Sequence, residues 1–257
     1  MTLQNRIALI IGGGGSLGRE VVRVYAREGA TVAVADLNQQ AAVETLELAG
    51  QGTQGMALQG NIADATVPGQ LVDAVVARFG RLDIVVNCAA ICLVDAILDV
   101  TPERWDRVFG VNARGAFFCM QAAARVMIPQ QYGRIITITT PASKMGFPNF
   151  VSYAASKAAV DSMTRAAAVA WAPYGITVNC IAPGRMTGGM IDALEHDLVR
   201  VTGKSAEELR AERTKGLPMS RRVEPAEVAE AAVWLASDAA AYVTAERFNF
   251  TGGMELS

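Results

Sequence analysis

The sequence predicts an α/β fold in which a doubly wound parallel sheet of about seven strands carries helices on both faces. Apolar runs of strand length alternate along the chain with longer segments of helical periodicity. The runs are apolar at consecutive positions, as expected for strands buried on both faces of a parallel sheet. The 257 residues contain no linker, repeat or low-complexity tract, so we expect one domain spanning 1–257.

The elements follow one another in the order that such a sheet requires. The predicted strands are 6–11, 31–36, 54–62, 82–87, 133–140, 175–184 and 247–250. Helical spacing is found at 17–28, at 38–48, in a segment that Asp64 or Thr66 caps and that ends at Phe79, at 102–127, at 152–172, and from Pro225 to Leu235. Residues 185–217 are polar and have no regular pattern.

Composition argues against several classes of function. The net charge of −2 leaves no basic stripe for nucleic acid. No apolar run reaches the roughly 18 residues that a membrane span needs, and the N-terminus lacks the pattern of a signal peptide, so the cytoplasm is the expected location. The four cysteines form no C-x-x-C pair and His196 is the only histidine, so we expect no metal site.

A run of four glycines, Gly12 to Gly15, follows the first strand and precedes the first helix. Such a loop lets the backbone approach a pyrophosphate, and the helix N-terminus offers free N–H groups and partial positive charge. An ordinary glycine-rich turn is the alternative. The run fits three dinucleotide-binding spacings, namely Gly13-x-Gly15-x-x-Gly18, Gly12-x-x-Gly15-x-x-Gly18 and Gly12-x-x-x-Ser16-x-Gly18.

Asp36 ends the second predicted strand and indicates the choice of cofactor. A carboxylate there accepts hydrogen bonds from the adenosine ribose hydroxyls and repels a 2′-phosphate. Helix capping is the other interpretation of Asp36, supported by Asn38 nearby. Neither positions 13–16 nor Leu37 offers a cation, and Arg19 lies inside the helix. We therefore expect NAD rather than NADP.

Tyr153 and Lys157 lie four residues apart and fall on one face of the predicted helix. A nearby ammonium stabilises phenolate and lowers the pKa of a tyrosine from ~10 toward neutrality. A phenol tuned in this way gives or takes a proton at an alcohol or carbonyl. The same spacing also occurs on solvated helix faces.

Over nearly its whole length the chain resembles the short-chain dehydrogenase/reductase family. The resemblance rests on motifs in the family's order: the glycine loop, "NCAA" at 87–90, "VNARGAFF" at 111–118, the Tyr153/Lys157 pair, "NCIAPG" at 179–184, "EPAEVAEAAVWLAS" at 224–237 and "FNFTGG" at 248–253. It implies a single Rossmann-type NAD(P)-binding domain. Together with the chain length it selects the third glycine spacing, with Ser16 where the family usually has glycine.

The resemblance implies roles for particular residues. Tyr153 is the implied general acid/base, Lys157 lowers its pKa and holds the nicotinamide ribose, and Asn112 completes a proton relay through a water. Holding a helix kink is the alternative role for Asn112. Thr140 stands where the family usually has a serine that binds the substrate oxygen, and Ser143 is the second candidate for that task. Thr139 is expected to face away.

The implied cofactor-binding residues come from the same motifs. They are Gly12, Gly15, Ser16, Leu17, Gly18, Asp36, Asn61, Ile62, Asn87, Ala89, Tyr153, Lys157, Pro183, Gly184 and Met186. Ser16 is expected to cap the first helix and to reach a pyrophosphate oxygen. Ile11 replaces a usual threonine and removes one hydrogen bond to the "NCAA" segment. Asn61 replaces an aspartate that often contacts the adenine amine.

The resemblance leads to a functional hypothesis. Residues 185–217 form the family's variable substrate lid, and their length and charge resemble those of sugar- and polyol-oxidising members with a polar pocket. We therefore expect an NAD(H)-dependent oxidoreductase that interconverts a secondary alcohol, such as a sugar or polyol, and its carbonyl. The alternatives are a 3-oxoacyl-thioester (acyl-carrier-protein) reductase and a catalytically weak dinucleotide sensor or scaffold. The helices near 102–127 and 152–172 are expected to pair in a homotetramer.

Overall fold

A computed structural model describes residues 1–50, 55–212 and 215–254. Within these residues seven strands form one parallel sheet: β1 (Ile7–Ile11), β2 (Thr31–Asp36), β3 (Gly55–Gln59), β4 (Ile84–Asn87), β5 (Gly133–Ile138), β6 (Ile176–Pro183) and β7 (Arg247–Phe250). Their order across the sheet is β3-β2-β1-β4-β5-β6-β7. The predicted doubly wound parallel sheet is confirmed.

The order of the strands places the functional crevice. The chain builds outward from β1 to β3, returns to β4 beside β1, and then builds outward in the other direction. The connection that follows β1 therefore crosses one face of the sheet, and the connection that follows β4 crosses the other face. A crevice opens between them, outside the carboxyl ends of these two strands. The loops after β1, β4, β5 and β6 all begin at this edge of the sheet.

Helices cover both faces of the sheet. They are α1 (Ser16–Arg27), α2 (Gln39–Leu48), α3 (Val67–Phe79), α4 (Pro102–Phe109), α5 (Ala116–Gln130), α6 (Val151–Trp171), α7 (Met190–Ala193), α8 (Glu195–Thr202), α9 (Ala206–Glu212) and α10 (Pro225–Ala236). One core cluster joins α1 and α10 to one face, and a second joins α3, α5 and α6 to the other. Alternate strand residues enter the two clusters: Ile10 and Val86 enter the first, and Leu9 and Val85 the second.

Three local predictions need correction. The helix predicted at 102–127 is interrupted between α4 and α5 by a π-helical turn, Gly110–Gly115. Thr66 stands at the N-cap of α3 without a capping hydrogen bond, because Asp64 Oδ1 accepts from the Thr66 N–H at 2.9 Å and the Thr66 hydroxyl at 2.8 Å. The third strand is shorter than the predicted 54–62, and position 54 lies outside the described residues.

Candidate active site

The glycine loop between β1 and α1 is fixed by two close backbone approaches. Gly12 has a left-handed φ of 76°, and a Cβ there would lie 2.6 Å from the Ala89 nitrogen. A Cβ at Gly18 would collide with the Gly12 carbonyl oxygen. A Cβ at Gly15, by contrast, would have its nearest neighbour at 3.5 Å. The steric requirement at Gly12 and Gly18 supports the spacing selected from the sequence.

The sequence analysis expected Ser16 to cap α1, but it does not. Gly15 takes the N-cap position and Ser16 is the first residue of the helix. The Ser16 hydroxyl faces Gly189 at the start of the lid, since a Cβ on Gly189 would lie 2.8 Å from Ser16 Oγ. The hydroxyl therefore stands between the glycine loop and the lid, and its contact with a pyrophosphate remains a prediction.

Asp36 faces the glycine loop from the end of β2. Its Oδ2 accepts from the Gly14 N–H and its Oδ1 from the Asn38 N–H, both at 2.9 Å. Asn38, rather than Asp36, caps α2, and its side chain accepts from the Ala41 N–H. Arg19 donates to the Gly14 carbonyl oxygen at 2.9 Å, and its guanidinium lies 3.2 Å from the Glu44 carboxylate. This cation is thus already paired with a carboxylate.

A cavity of about 840 Å³ runs from Asp36 along the carboxyl edge of the sheet to the lid. Most of the predicted site residues line it: Gly12, Gly15, Ser16, Leu17, Gly18, Asp36, Asn61, Ile62, Ala89, Thr140, Tyr153, Lys157, Pro183, Gly184 and Met186. Asn87 and Asn112 lie behind the wall. A dinucleotide fits these residues, because the glycines remove side chains from the path beside the α1 N-terminus and a carboxylate stands at one end.

Asn61 and Ile62 form the wall of the cavity after β3. Asn61 Oδ1 accepts from the Ala63 N–H at 3.1 Å, so one of its acceptor sites is used within its own turn. The Ile62 side chain is buried, and the Ile62 carbonyl oxygen is close enough to Gly115 that a Cβ there would lie 2.7 Å from it. The backbone of the π-helical turn therefore packs directly against this wall.

Asn87 lies beside Ile11 in the sheet, and its side-chain amide is only partly hydrogen-bonded. The two residues are register partners on β4 and β1. Asn87 Oδ1 accepts from the Ala89 N–H at 3.1 Å, whereas its buried Nδ2 has no hydrogen-bond partner among the described residues. The bond missing at Asn87 Nδ2 matches the one that the sequence analysis expected Ile11 to remove. An unsatisfied buried donor costs about 1–3 kcal/mol.

We expect threonine at position 11 to recover part of that cost. Ile11→Thr and Ile11→Val remove similar apolar volume, and only threonine offers an oxygen to Asn87 Nδ2. A buried valine-to-threonine exchange normally destabilises a protein. Here Ile11→Thr should be at least as stable to urea as Ile11→Val. A clearly lower free energy of unfolding for the threonine variant would contradict the assignment.

The Tyr153/Lys157 pair lies on α6 at the cavity wall. Lys157 is buried and its Nζ donates to the Ile138 carbonyl oxygen at 2.7 Å. Burial lowers the pKa of Lys157 to about 8, against the opposing effect of nearby acidic groups. Burial also raises the pKa of Tyr153 above its usual range. Burial thus opposes the lowering of this pKa that the sequence analysis expected from Lys157, whose role toward Tyr153 remains a prediction.

The structure separates the two candidates for binding the substrate oxygen. Thr140 lies within hydrogen-bonding reach of the Tyr153 phenol, and this contact partly opposes the rise in the pKa of Tyr153. The Ser143 hydroxyl points away from the cavity and donates to Asp161 Oδ2 at 2.5 Å. Thr139 was expected to face away; its hydroxyl donates to the Ile181 carbonyl oxygen at 3.5 Å, although the residue also lines the cavity. Of the two candidates, Thr140 therefore lies beside the Tyr153 phenol at the cavity, and Ser143 does not.

Asn112 is fully buried in the π-helical turn and bonds on every side. Its Nδ2 donates to the Ile91 carbonyl oxygen at 2.8 Å and to Ser156 Oγ at 3.1 Å, and its Oδ1 accepts from the Ile91 N–H at 2.9 Å. The side chain therefore ties the loop after β4 to α6. This geometry supports the helix-kink interpretation of Asn112, and the proton relay remains a prediction.

The lid and the loops after β4 and β5 together form a largely apolar wall that the sequence analysis did not expect. The side chains lining this end of the cavity include Cys92, Phe147, Phe150, Leu194, Leu198 and Leu209. The charges of the lid pair with one another, as in Lys204–Glu212 and Arg210–Glu195, each at 2.6 Å. The spacing of Leu194 and Leu198 was the signal that could have revealed the wall. Residues 213–214 of the predicted lid lie outside the described residues.

The described residues also bear on metal binding and on membrane insertion. Among these residues there is no group of three or more histidine, cysteine, aspartate or glutamate side chains that could hold a metal ion. No helix of the same parts is long and apolar enough to cross a membrane.

Comparisons with known proteins match the whole chain. Residues 12–255 match a family model described as enoyl-(acyl carrier protein) reductase. The chain is 33% identical over 251 residues to a 3-oxoacyl-[acyl-carrier-protein] reductase of Staphylococcus aureus, covering 97% of this chain and 98% of that one. It is 35% identical over 258 residues to galactitol 2-dehydrogenase of Agrobacterium fabrum, covering 100% of each.

Solved structures agree with the sequence relatives. Levodione reductase superposes with a TM-score of 0.92 at 28% identity, over 98% of each chain. NAD⁺-bound xylitol dehydrogenase superposes with a TM-score of 0.92 at 27% identity, over 98% of this chain and 100% of that one. The chain therefore belongs to the short-chain dehydrogenase/reductase family, whose members are nicotinamide-dependent oxidoreductases that act on CH–OH groups.

Proposed function

We propose that the protein is an NAD(H)-dependent oxidoreductase that interconverts a secondary alcohol and its carbonyl. One observation carries the proposal: Thr140, Tyr153 and Lys157 share the wall of a single cavity with the glycine loop and Asp36. Groups that handle a proton therefore stand beside groups suited to a dinucleotide. This juxtaposition disfavours a binding protein without catalysis.

Tyr153 handles the proton in this mechanism. In reduction its phenol donates the proton to the carbonyl oxygen, and in oxidation the phenolate takes it from the alcohol. The Thr140 hydroxyl holds that oxygen, and Lys157 holds the nicotinamide ribose. When bound, the cofactor supplies or accepts the hydride. Because burial raises the pKa of Tyr153, the phenol stays protonated near neutral pH, so reduction is favoured there and oxidation gains as the pH rises.

Asp36 supports NAD over NADP. Its carboxylate lines the cavity and is anchored by two backbone N–H groups. A ribose with free hydroxyls gains hydrogen bonds from such a carboxylate, whereas a 2′-phosphate meets a like charge. Arg19, which could offset that repulsion, is paired with Glu44.

The apolar wall supports a substrate whose body beyond the reacting carbon is apolar. Arg185, Glu212 and Arg222 also line the cavity, but a hydroxyl placed against Phe150, Leu198 and Leu209 would gain no hydrogen bond from those apolar side chains. Each unsatisfied buried hydroxyl costs about 1–3 kcal/mol. We therefore favour aliphatic or alicyclic secondary alcohols and ketones over the polyols expected from the sequence. Residues 185–217 would serve as the lid over this body.

A 3-oxoacyl-thioester reductase is the second candidate. The same apolar wall could receive an acyl chain, and the relative from Staphylococcus aureus carries the name of that activity. The two candidates differ in what lies beyond the ketone: a compact body in the first and a thioester carrier in the second.

A substrate panel tests the proposal. We expect NADH consumption with aliphatic and alicyclic ketones and NADH production with their alcohols, at kcat/KM values about tenfold or more above those of matched polyols. Rates with acyl thioesters above those with simple ketones would favour the second candidate. A protein that binds NADH and is inactive with all three classes would overturn the enzymatic proposal.

We also propose a homotetramer. Phe117 on α5 and Val169 on α6 are large apolar side chains that remain exposed in the single chain. Pairing of these helices across two-fold axes would cover them, and closed symmetry is typical of such assemblies. The mass measured by sedimentation in solution tests this proposal, and a monomer would overturn it.

A further inference from the structure

A buried ion pair lies directly behind the candidate catalytic residues. Asp161 is on α6, one turn beyond Lys157, and Arg247 is the first residue of β7. Arg247 Nε and Asp161 Oδ2 are 3.2 Å apart, and the two side chains are 8% and 7% exposed. The pair thus joins the catalytic helix to the edge strand of the sheet inside the protein.

The pair converges on the backbone of Thr140. Arg247 Nη2 donates to the Thr140 carbonyl oxygen at 2.8 Å. Ser143 donates through its hydroxyl to Asp161 Oδ2 at 2.5 Å, and its backbone N–H donates to the same Thr140 carbonyl at 3.1 Å. Two chain segments far apart in sequence therefore hold the turn in which Thr140 begins a short 3₁₀ helix, Pro141–Ser143.

Stability alone does not account for a charged pair at this place. Moving two charges out of water is costly, and replacing a buried ion pair by apolar residues is often neutral or stabilising. What the pair offers instead is direction. The Arg247 guanidinium has fixed N–H vectors, so it fixes the Thr140 carbonyl relative to α6, the helix that carries Tyr153.

We propose that Asp161 and Arg247 are positioning residues that hold the Thr140 hydroxyl in register with Tyr153 for proton transfer. The inference rests on the proposed function, in which Thr140 binds the substrate oxygen. It adds two residues that none of the sequence motifs singled out. A displacement of about 1 Å in such a group can cost roughly 100-fold in rate.

The charge of Asp161 also acts on Lys157. Its carboxylate is one of the nearby groups that raise the pKa of Lys157 and so oppose the effect of burial. Lys157 therefore keeps more of its positive charge near neutral pH than burial alone would allow. The geometry around Thr140 stands independently of this effect.

Asp161→Asn tests the inference, measured at a temperature where the variant is fully folded. We expect kcat and kcat/KM for ketone reduction to fall together by about 10- to 100-fold, with KM and the Kd for NADH unchanged, because the lost interaction acts in the transition state. The matched control is Asp83→Asn. Asp83 is likewise buried and paired with an arginine, Arg81, but lies just before β4 at the amino ends of the strands, away from the cavity. The Asp83→Asn variant should have a lower Tm and an unchanged kcat.

The double variant Asp161→Val/Arg247→Met separates positioning from structure. Removing both charges should restore Tm to the wild-type value or above, yet kcat should remain about tenfold or more below wild type. Wild-type kcat in this variant would overturn the inference. If neither variant folds, Ser143→Ala decides: it removes only the hydroxyl between Asp161 and the turn, and an unchanged kcat would then overturn the inference.

A crystal structure of the double variant gives a readout that does not depend on activity. The inference expects the distance between Thr140 Oγ1 and Tyr153 Oη to change and the positions of Tyr153 and Lys157 on α6 to be kept. An unchanged distance would overturn the inference even if the substrate were never found. A wild-type protein without ketone or alcohol activity would overturn the proposed function separately.

Discussion

Tyr153→Phe is expected to lose about 10³-fold or more in kcat in both directions, because general acid/base catalysis contributes roughly 10²–10⁴-fold. The substitution removes one oxygen and leaves the ring in place. The contact between the phenol and Thr140 is lost with that oxygen. The fold therefore loses little, and the proton donor is lost.

Cofactor binding should survive the same substitution. The glycine loop joins β1 to α1 and Asp36 ends β2, so neither belongs to α6, and NADH should bind with a Kd within about threefold of wild type. Fluorescence titration measures binding, and initial rates on the best ketone measure turnover. Weak binding together with lost turnover would indicate a general disturbance of the site.

Tyr25→Phe is the matched control. Tyr25 is also fully buried, and its hydroxyl donates to the Ala232 carbonyl oxygen at 2.9 Å, on the side of α1 that packs against α10. Its loss should lower Tm and leave kcat unchanged. A Tyr153→Phe variant that retained most of the wild-type rate would refute the assignment of Tyr153 as the acid/base.

The sequence was sufficient wherever a pattern has one structural solution. Buried parallel strands have to be apolar at consecutive positions, so all seven strands could be predicted within a few residues. Gly12 and Gly18 allow no side chain, because of the backbone beside them. The i, i+4 spacing of Tyr153 and Lys157 fixes their common face in any helix.

The sequence was insufficient where an outcome depends on competing partners. Burial raises the pKa of Tyr153, and no spacing rule weighs desolvation against a nearby ammonium. Asn112 was equally compatible with a relay and with a kink, and its three hydrogen bonds depend on residues 21 and 44 positions away. In the lid, Leu194, Leu198 and Leu209 line the cavity, and charged side chains pair with one another at the surface.

The effect on cofactor choice should be largest at Asp36. In Asp36→Asn we expect the Kd for NADH to rise about 10- to 100-fold, because hydrogen bonds to charged groups contribute about 1.5–3 kcal/mol and 1.4 kcal/mol corresponds to a tenfold change. The Kd for NADPH should fall or stay the same, because a 2′-phosphate no longer meets a negative charge. The preference for NADH over NADPH should therefore drop by about tenfold or more.

Asparagine is the informative substitution because it keeps an acceptor oxygen. That oxygen can still accept from the Gly14 or the Asn38 N–H, so the side chain at position 36 retains one of its two backbone partners. Glu47→Gln is the matched control: Glu47 is an exposed carboxylate in the last turn of α2 that does not line the cavity, and its loss changes the net charge equally. Its ratio of NADH to NADPH affinity should equal that of wild type. Tighter binding of NADPH than NADH by the wild-type protein, or an unchanged ratio in Asp36→Asn, would refute the role of Asp36.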